Sequence, residues 1–430
     1  MKTEHSITVW LRNTSTFNLT LYGAVASFCL YTCIFSLRKT FGVATYEGLS
    51  YGGIDFKIWM VALQVIGYMI SKFVGIKVVS ELQSTYRTRG ILLMVSIAAV
   101  SWFFFAITPH PYSLIFLFLN GLPLGMVWSL VFGYLEGRKN TEVLGASLSV
   151  SFIFSAGIGK TIGGMIMRDL GVSEFWMPFV AACFFFIPLV VFLWLLDKLP
   201  PPSAEDEALR TRRQPMSGSD RLAFVKTFGP GLFLLIASYA LLTAFREFRD
   251  NFSAEIWNSL GYRDKPGIFA QTEIPVSITV LIAIALLMVV KNNRTALIIN
   301  HLMVFTGMLL VGASTFAYQR EIISAPVWMT LIGMGLYFGY IQFNSIFFDR
   351  LLAAFKYAGT VAFLINLADS FGYVGSVCVL FYKNFGQPDL SWLDFFISSG
   401  YVLSISGSVL MLISLIYFRK KYESWQLVRV

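Results

Sequence analysis

Twelve stretches of the sequence stay apolar for long enough to cross a bilayer. They lie at roughly 17–45, 58–79, 90–107, 112–134, 143–166, 175–196, 228–250, 273–290, 295–317, 326–348, 357–381 and 392–417. A hydrocarbon core about 30 Å thick takes about 20 helical residues. Inside it, every backbone N–H and C=O must find its partner within the protein, which favours helices. The succession of runs therefore predicts an all-α membrane protein with twelve transmembrane helices. Composition supports this: of 430 residues, 56% are hydrophobic and 13% charged, roughly half the charged share of an ordinary soluble domain.

The longest polar stretch runs from Asp197 to Lys226 and holds Pro200-Pro201-Pro202, Glu205-Asp206-Glu207 and Arg210 to Arg213. It reads as a linker. The expected organisation is an N-terminal six-helix half (1–196), a cytoplasmic linker (197–226) and a C-terminal six-helix half (227–430). With both termini cytoplasmic, 21 Lys and Arg fall in cytoplasmic segments and 6 in the opposite loops. That bias follows the positive-inside rule. The first 16 residues are polar and the run after them is too long for a signal-peptide core, so no cleavable leader is expected.

The halves echo each other at an offset of 214. Gly121 then meets Gly335, Gly125 meets Gly339, Gly145 meets Gly359, and Glu136 falls opposite Arg350. Glycines at such spacing let helices approach closely. Two pseudo-symmetric six-helix halves related along the membrane normal describe the major facilitator fold.

Six cations fall inside apolar runs: Arg38, Lys39, Lys72, Lys160, Arg246 and Arg249. A charge at the bilayer centre costs about 2.5–3.5 kcal/mol on insertion scales, so each needs a reason. Acids are scarcer. Asp369 is the clearest, with Glu47, Asp250 and Glu273 near run ends. An excess of cations in a protein-lined cavity specifies an anion, and the planar fork of Arg suits phosphate and carboxylate. Arg38 and Arg246 lie late in the first run of each half, and the expectation is that both serve one central site. Tyr31 and Arg38 are seven residues apart and Tyr68 and Lys72 four, so each pair shares a helix face.

Blander readings stand beside these. Arg38, Arg246 and Lys72 lie where a side chain can snorkel to the headgroups. The same holds more strongly for Lys39 and Arg249, which can also pair locally. Arg246 with Asp250 fits a simple i,i+4 ion pair. Lys160, between Gly157-Ile158-Gly159 and Gly163-Gly164, is deeper and is expected to face a cavity. Tyrosines in such segments also serve as packing. Asp369 has two roles open to it, counter-ion to a cavity cation or proton carrier.

Several classes find no support. No Gly-rich loop ending in GKS or GKT is present, against an ATP-driven pump. His5, His110 and His301 are scattered, and Cys29, Cys33, Cys183 and Cys378 lack metal-ligand spacing. No enzyme activity, cofactor, metal or nucleic-acid partner is expected. The net charge of +9 is accounted for by the short loops.

Some patches resemble the organophosphate–phosphate antiporter family of the major facilitator superfamily. Arg38-Lys39 with Tyr31 resembles that family's anion-binding first helix. Gly67-Tyr68-Met69-Ile70-Ser71-Lys72-Phe73 resembles its second helix, where a Tyr and a Lys face the cavity. Asn120-Gly121, Gly125-Met126 and Trp128 resemble its fourth, and Arg246 stands where the family has a second anion-binding Arg. Ala358-Gly359-Thr360 and Gly372-Tyr373-Val374-Gly375 resemble its eleventh helix, which adds Tyr373 to the implied site. The chain departs from the family at Phe154 or Ser155, where a cavity His is usual, at Phe35, where a Tyr is usual, and in a loop signature reduced to Ser80-Glu81. The resemblance implies a monomer in a bacterial inner membrane.

The leading expectation is a secondary transporter of a small organic anion, phosphate-bearing, working by alternating access with phosphate exchange or proton coupling. The two halves would rock around a midplane site. The alternative is a proton-coupled transporter of carboxylates or another organic anion, which needs Asp369 to titrate. A third possibility is a non-transporting receptor on a transporter scaffold.

Overall fold

The computed structural model describes residues 6–81, 84–138, 140–203, 206, 218–357 and 361–427. The helices are α1 (Ser6–Asn13), α2 (Thr16–Lys39), α3 (Phe56–Glu81), α4 (Arg87–Ile107), α5 (Ile115–Phe132), α6 (Thr141–Leu170), α7 (Met177–Asp197), α8 (Gly218–Asn251), α9 (Ser253–Ser259), α10 (Gly267–Met288), α11 (Asn293–Gln319), α12 (Ala325–Ser345), α13 (Phe347–Phe355), α14 (Val361–Phe381), α15 (Trp392–Val402) and α16 (Ser408–Leu427). Among the described residues, ten helical segments are long and apolar enough to cross a membrane. An eleventh forms if α12 and α13 are one span, bent by 51°. The 26-residue α3 covers the run at 58–79. Each of the twelve apolar runs thus holds a helix. Outward positions such as Leu93 (63% exposed), Ile187 (73%) and Phe233 (69%) make an apolar exterior suited to acyl chains and costly in water.

One element departs from the all-helical expectation. Between α2 and α3, β1 (Ser50–Tyr51) pairs antiparallel with β2 (Ile54–Asp55). Gly52 (φ 61) and Gly53 (φ 76) make the turn. Two successive left-handed residues match the twist of a two-residue hairpin and favour glycine at both positions.

The chain packs as two compact units. The first comprises Met1–Arg210 with Asn251–Ser277, and the second comprises Thr211–Asp250 with Ile278–Val430. The stretch 251–277 was expected to belong with the C-terminal half. Polar bonds explain its place in the first unit. Lys39 Nζ donates to Asn251 Oδ1 at 2.9 Å and Lys57 Nζ to Glu255 Oε1 at 2.6 Å. Thr161 Oγ1 donates to Pro266 O at 3.0 Å and accepts from the Ala270 N–H at 3.1 Å.

Close helix approach in the first unit depends on α3 and α5. A Cβ at Gly67 would sit 2.5 Å from Phe118 O, and one at Gly125 would sit 2.6 Å from Tyr68 O. A Cβ at Gly121 would run into the carbonyl of Gln64. The two backbones therefore touch, which only glycine permits. Gly335, the repeat partner of Gly121, meets the backbone of Gly307 in the second unit. Gly359 lies outside the described residues, as do Ala358 and Thr360.

Candidate functional site

The first unit builds a cation cluster at the end of α2. Ser15 opens that helix, its Oγ accepting from the Asn18 N–H at 3.2 Å. The last carbonyls of a helix have no partner within it, and here side chains from two other helices supply donors. Trp102 Nε1 donates to Leu37 O at 2.6 Å. Gln64 Nε2 donates to Arg38 O at 2.9 Å and to Asn120 Oδ1 at 2.8 Å. Asn120 Nδ2 in turn donates to Ala98 O at 3.0 Å. This network fixes the backbone that carries Arg38 and passes the chain into a 3-10 turn at Thr40–Val43.

The Arg38 side chain is 2% exposed. Its guanidinium carbon lies 3.9 Å from the centroid of the Tyr68 ring and 6.0 Å from that of Phe35. Lys72 Nζ lies 5.5 Å from the same Tyr68 ring, so one tyrosine lies beside two cations. Such contacts gain strength where water is excluded. Tyr31 is buried and meets Phe152 edge-on, ring centroids 5.1 Å apart. Phe152 also packs on Phe35 at 5.3 Å, so aromatic rings border the cluster. Lys160 on α6 is 4% exposed, and its charge acts on Lys57. Neighbouring Gly159 packs against Ser36 and Thr40, where a Cβ would lie 3.1 Å from each hydroxyl.

The second unit repeats the arginine–tyrosine contact with different helices. Arg246 on α8 is 3% exposed, with its guanidinium carbon 4.2 Å from the centroid of Tyr340 on α12. Its Nη2 donates to Glu247 Oε1 at 2.6 Å. Its Nε is buried without a hydrogen-bond partner among the described residues. Tyr373 and Tyr337 act on it electrostatically alongside Tyr340 and Glu247. Tyr340 stacks on Tyr239, centroids 5.5 Å apart. The Tyr239 hydroxyl donates to Asp369 Oδ1 at 2.5 Å and accepts from Asn344 Nδ2 at 3.0 Å. A continuous path of contacts thus runs from Asp369 through Tyr239 and Tyr340 to Arg246.

The heads of Arg38 and Arg246 are buried in protein, where snorkelling was the blander alternative. Lys39 and Arg249 do not snorkel either: Lys39 bonds Asn251, 212 residues away in sequence, and Arg249 Nη2 donates to Met329 O at 3.0 Å. Arg246 forms an ion pair with Glu247 at i+1. Lys160 is away from the lipid surface. Arg38, Tyr68 and Lys72 come together in one unit. Arg246, Tyr373 and Asp369 belong to one network in the other.

Sequence reasoning passed over Gln64, Asn120, Trp102, Lys57, Tyr239, Tyr340 and Glu247. Glu247 had a signal, an acid inside the Phe245–Asp250 charged stretch. The others look like ordinary membrane-helix or loop residues until their partners are known.

The profile of a family described as "Family of unknown function (DUF5690)" matches residues 40–421. No curated protein matches the chain. Three solved structures are similar to it in fold. One is a nucleoside transporter, 14% identical, covering 93% of this chain and 100% of that one, TM-score 0.61. Another is a D-xylose–proton symporter, 16% identical, covering 94% and 97%, TM-score 0.57. The third is a bacterial homologue of human drug peptide transporters, 11% identical, covering 95% and 100%, TM-score 0.62. At these identities they establish the fold, the all-α major facilitator fold of a multi-pass membrane protein.

Proposed function

The chain belongs to the family of unknown function DUF5690, and we propose that it is a secondary active transporter of a small, phosphate-bearing organic anion. The observation that carries this reading is the paired arrangement of Arg38 on Tyr68 and Arg246 on Tyr340. Each places a guanidinium almost wholly out of water, 3.9 Å and 4.2 Å from an aromatic face. A ring attracts a cation through its face and leaves the guanidinium edge for hydrogen bonds, and in Arg246 one such bond goes to Glu247. A phosphate that takes an arginine gains charge-assisted, fork-shaped contacts. Lys72 and Lys160 add point charges, and Tyr31, Tyr68 and Tyr373 give shape and hydroxyls. The protein works as a monomer in a bacterial inner membrane by alternating access, its sequence halves 1–196 and 227–430 as the moving bodies and both termini in the cytoplasm. The transporter activities named for the three similar structures favour transport over a receptor role, as an analogy of fold.

A thermal-shift screen of the purified protein tests this reading. Phosphate, sugar phosphates, glycerol phosphate and phosphonates should raise the melting temperature, and neutral sugars should not. Stabilisation by neutral sugars alone would refute it.

A second reading, a proton-coupled carboxylate transporter, draws on the Tyr239–Asp369 bond. Asp369 is a buried acid inside an apolar helix, and its carboxylate accepts from the Tyr239 hydroxyl. Dicarboxylates stabilising the protein more than phosphates would favour it.

A further inference from the structure

Glu255 stands on α9 and takes no part in the clusters described above. Its Oε1 accepts from Lys57 Nζ at 2.6 Å, with the two side chains 9% and 1% exposed. Lys57 Nζ also donates to Gly42 O at 3.0 Å and lies 5.5 Å from the Phe252 ring. Glu255 Oε2 is buried and has no hydrogen-bond partner among the described residues. A buried carboxylate oxygen with no donor is costly as an anion. A proton on that oxygen would remove the buried negative charge and leave Oε1 as a neutral acceptor for Lys57.

We propose that Glu255 Oε2 is a proton-binding site, and that proton uptake there promotes anion binding by the first unit. The second clause rests on the transporter reading, whereas the first does not.

The charges that act on this site are Lys57 on α3 and Asp55 at the end of β2, with Lys160 on α6 acting through Lys57. Lys39 of α2 lies beyond them, bonded to Asn251 at the end of α8. The balance of the step is simple. A solvent proton forms an O–H bond at Oε2, no other covalent bond changes, and Glu255 passes from −1 to neutral. The Lys57–Glu255 contact loses its ionic character, and Lys57 keeps its bond to Gly42 O. Lys57 and Lys160 are then short of one negative charge, which an anion restores. Proton and anion each favour the other's binding by the same factor. That sign describes symport, with proton and anion taken up together. Burial supports the site, pushing the Glu255 carboxyl above the ordinary carboxylate range against the pull of Lys57.

The test is pH-difference infrared spectroscopy on the full-length protein in nanodiscs. The wild type should show a protonated-carboxyl stretch that titrates. Glu255→Gln should lose that band and Asp369→Asn should keep it. A full band in Glu255→Gln would overturn the proton site. If that variant does not fold, Lys57→Met gives the answer: the titration should move up by about one pH unit or more, and no movement would overturn the proposal. Coupling is read separately with inorganic sulfate, whose charge is constant near neutrality. Sulfate should bind more tightly to the wild type as pH falls, with a flat response in Glu255→Gln. A pH-independent wild type would overturn the coupling. Absence of any anion binding would overturn the coupling together with the transporter reading, and the infrared result would still decide the proton site.

Discussion

The guanidinium of Arg38 and the lysine nitrogen of Lys72 lie 3.9 Å and 5.5 Å from the ring of Tyr68. Two like charges from adjacent helices are thereby held near one ring inside the protein. Their mutual repulsion opposes this, and the ring quadrupole offsets part of it. Under the proposed function, an arriving anion would relieve the remainder.

The ring can be tested directly. Tyr68→Phe keeps the aromatic face and should leave sulfate or phosphate affinity within about twofold. Tyr68→Leu removes a contact worth about 0.5–2 kcal/mol and should weaken affinity by roughly 2- to 30-fold. Isothermal titration calorimetry distinguishes the two. Equal losses in both variants would assign the role to the hydroxyl.

The proposed function gives Arg38 and Arg246 a part in anion binding. Charge-assisted hydrogen bonds contribute about 1.5–3 kcal/mol, so Arg38→Ala and Arg246→Ala should each weaken binding by roughly 10- to 100-fold. Lysine should rescue only in part, because the fork is lost. Unchanged affinity for either alanine variant in a binding assay would remove that arginine from the site.

Packing in the first unit gives a stability test. Gly121→Val and Gly125→Leu drive a side chain into the backbone of α3 and should destabilise by at least about 1–3 kcal/mol. Gly375→Ala should be tolerated, since its Cβ would meet Ala240 O at an ordinary 3.7 Å. Melting followed by size-exclusion chromatography ranks them, and a Gly121→Val protein as stable as wild type would contradict the close α3–α5 contact.

Orientation is open to cysteine labelling. Impermeant reagents in intact cells should reach a cysteine at Pro388 and fail to reach one at Ser203. Labelling of Ser203→Cys from outside would reverse the topology expected from the Lys and Arg bias.

The fold was legible because its cause is local: each apolar run specifies a helix through backbone satisfaction alone. The cations Arg38, Arg246 and Lys160 were legible because a charge in an apolar run stands out. What surrounds them was not. Tyr239 and Asp369 are 130 residues apart, and Tyr340 is one aromatic among many. Lys57 begins α3, where a charge reads as a loop residue, and its bonds to Glu255 and Gly42 O give it an interior role. The hairpin had its cue in Gly52-Gly53, but four strand residues are too few to show alternation. Snorkelling could not be judged from position in a run, because burial depends on neighbouring helices.

The bonds that tie 251–277 to the first unit bear on dividing the gene. A break in the linker leaves Lys39 and Lys57 on one fragment and Asn251 and Glu255 on the other. The N-terminal fragment alone then lacks the Asn251 and Glu255 acceptors of these two ammonium groups. Made separately, the fragments should be degraded. Made together in one cell, they should complement each other and accumulate as a non-covalent pair.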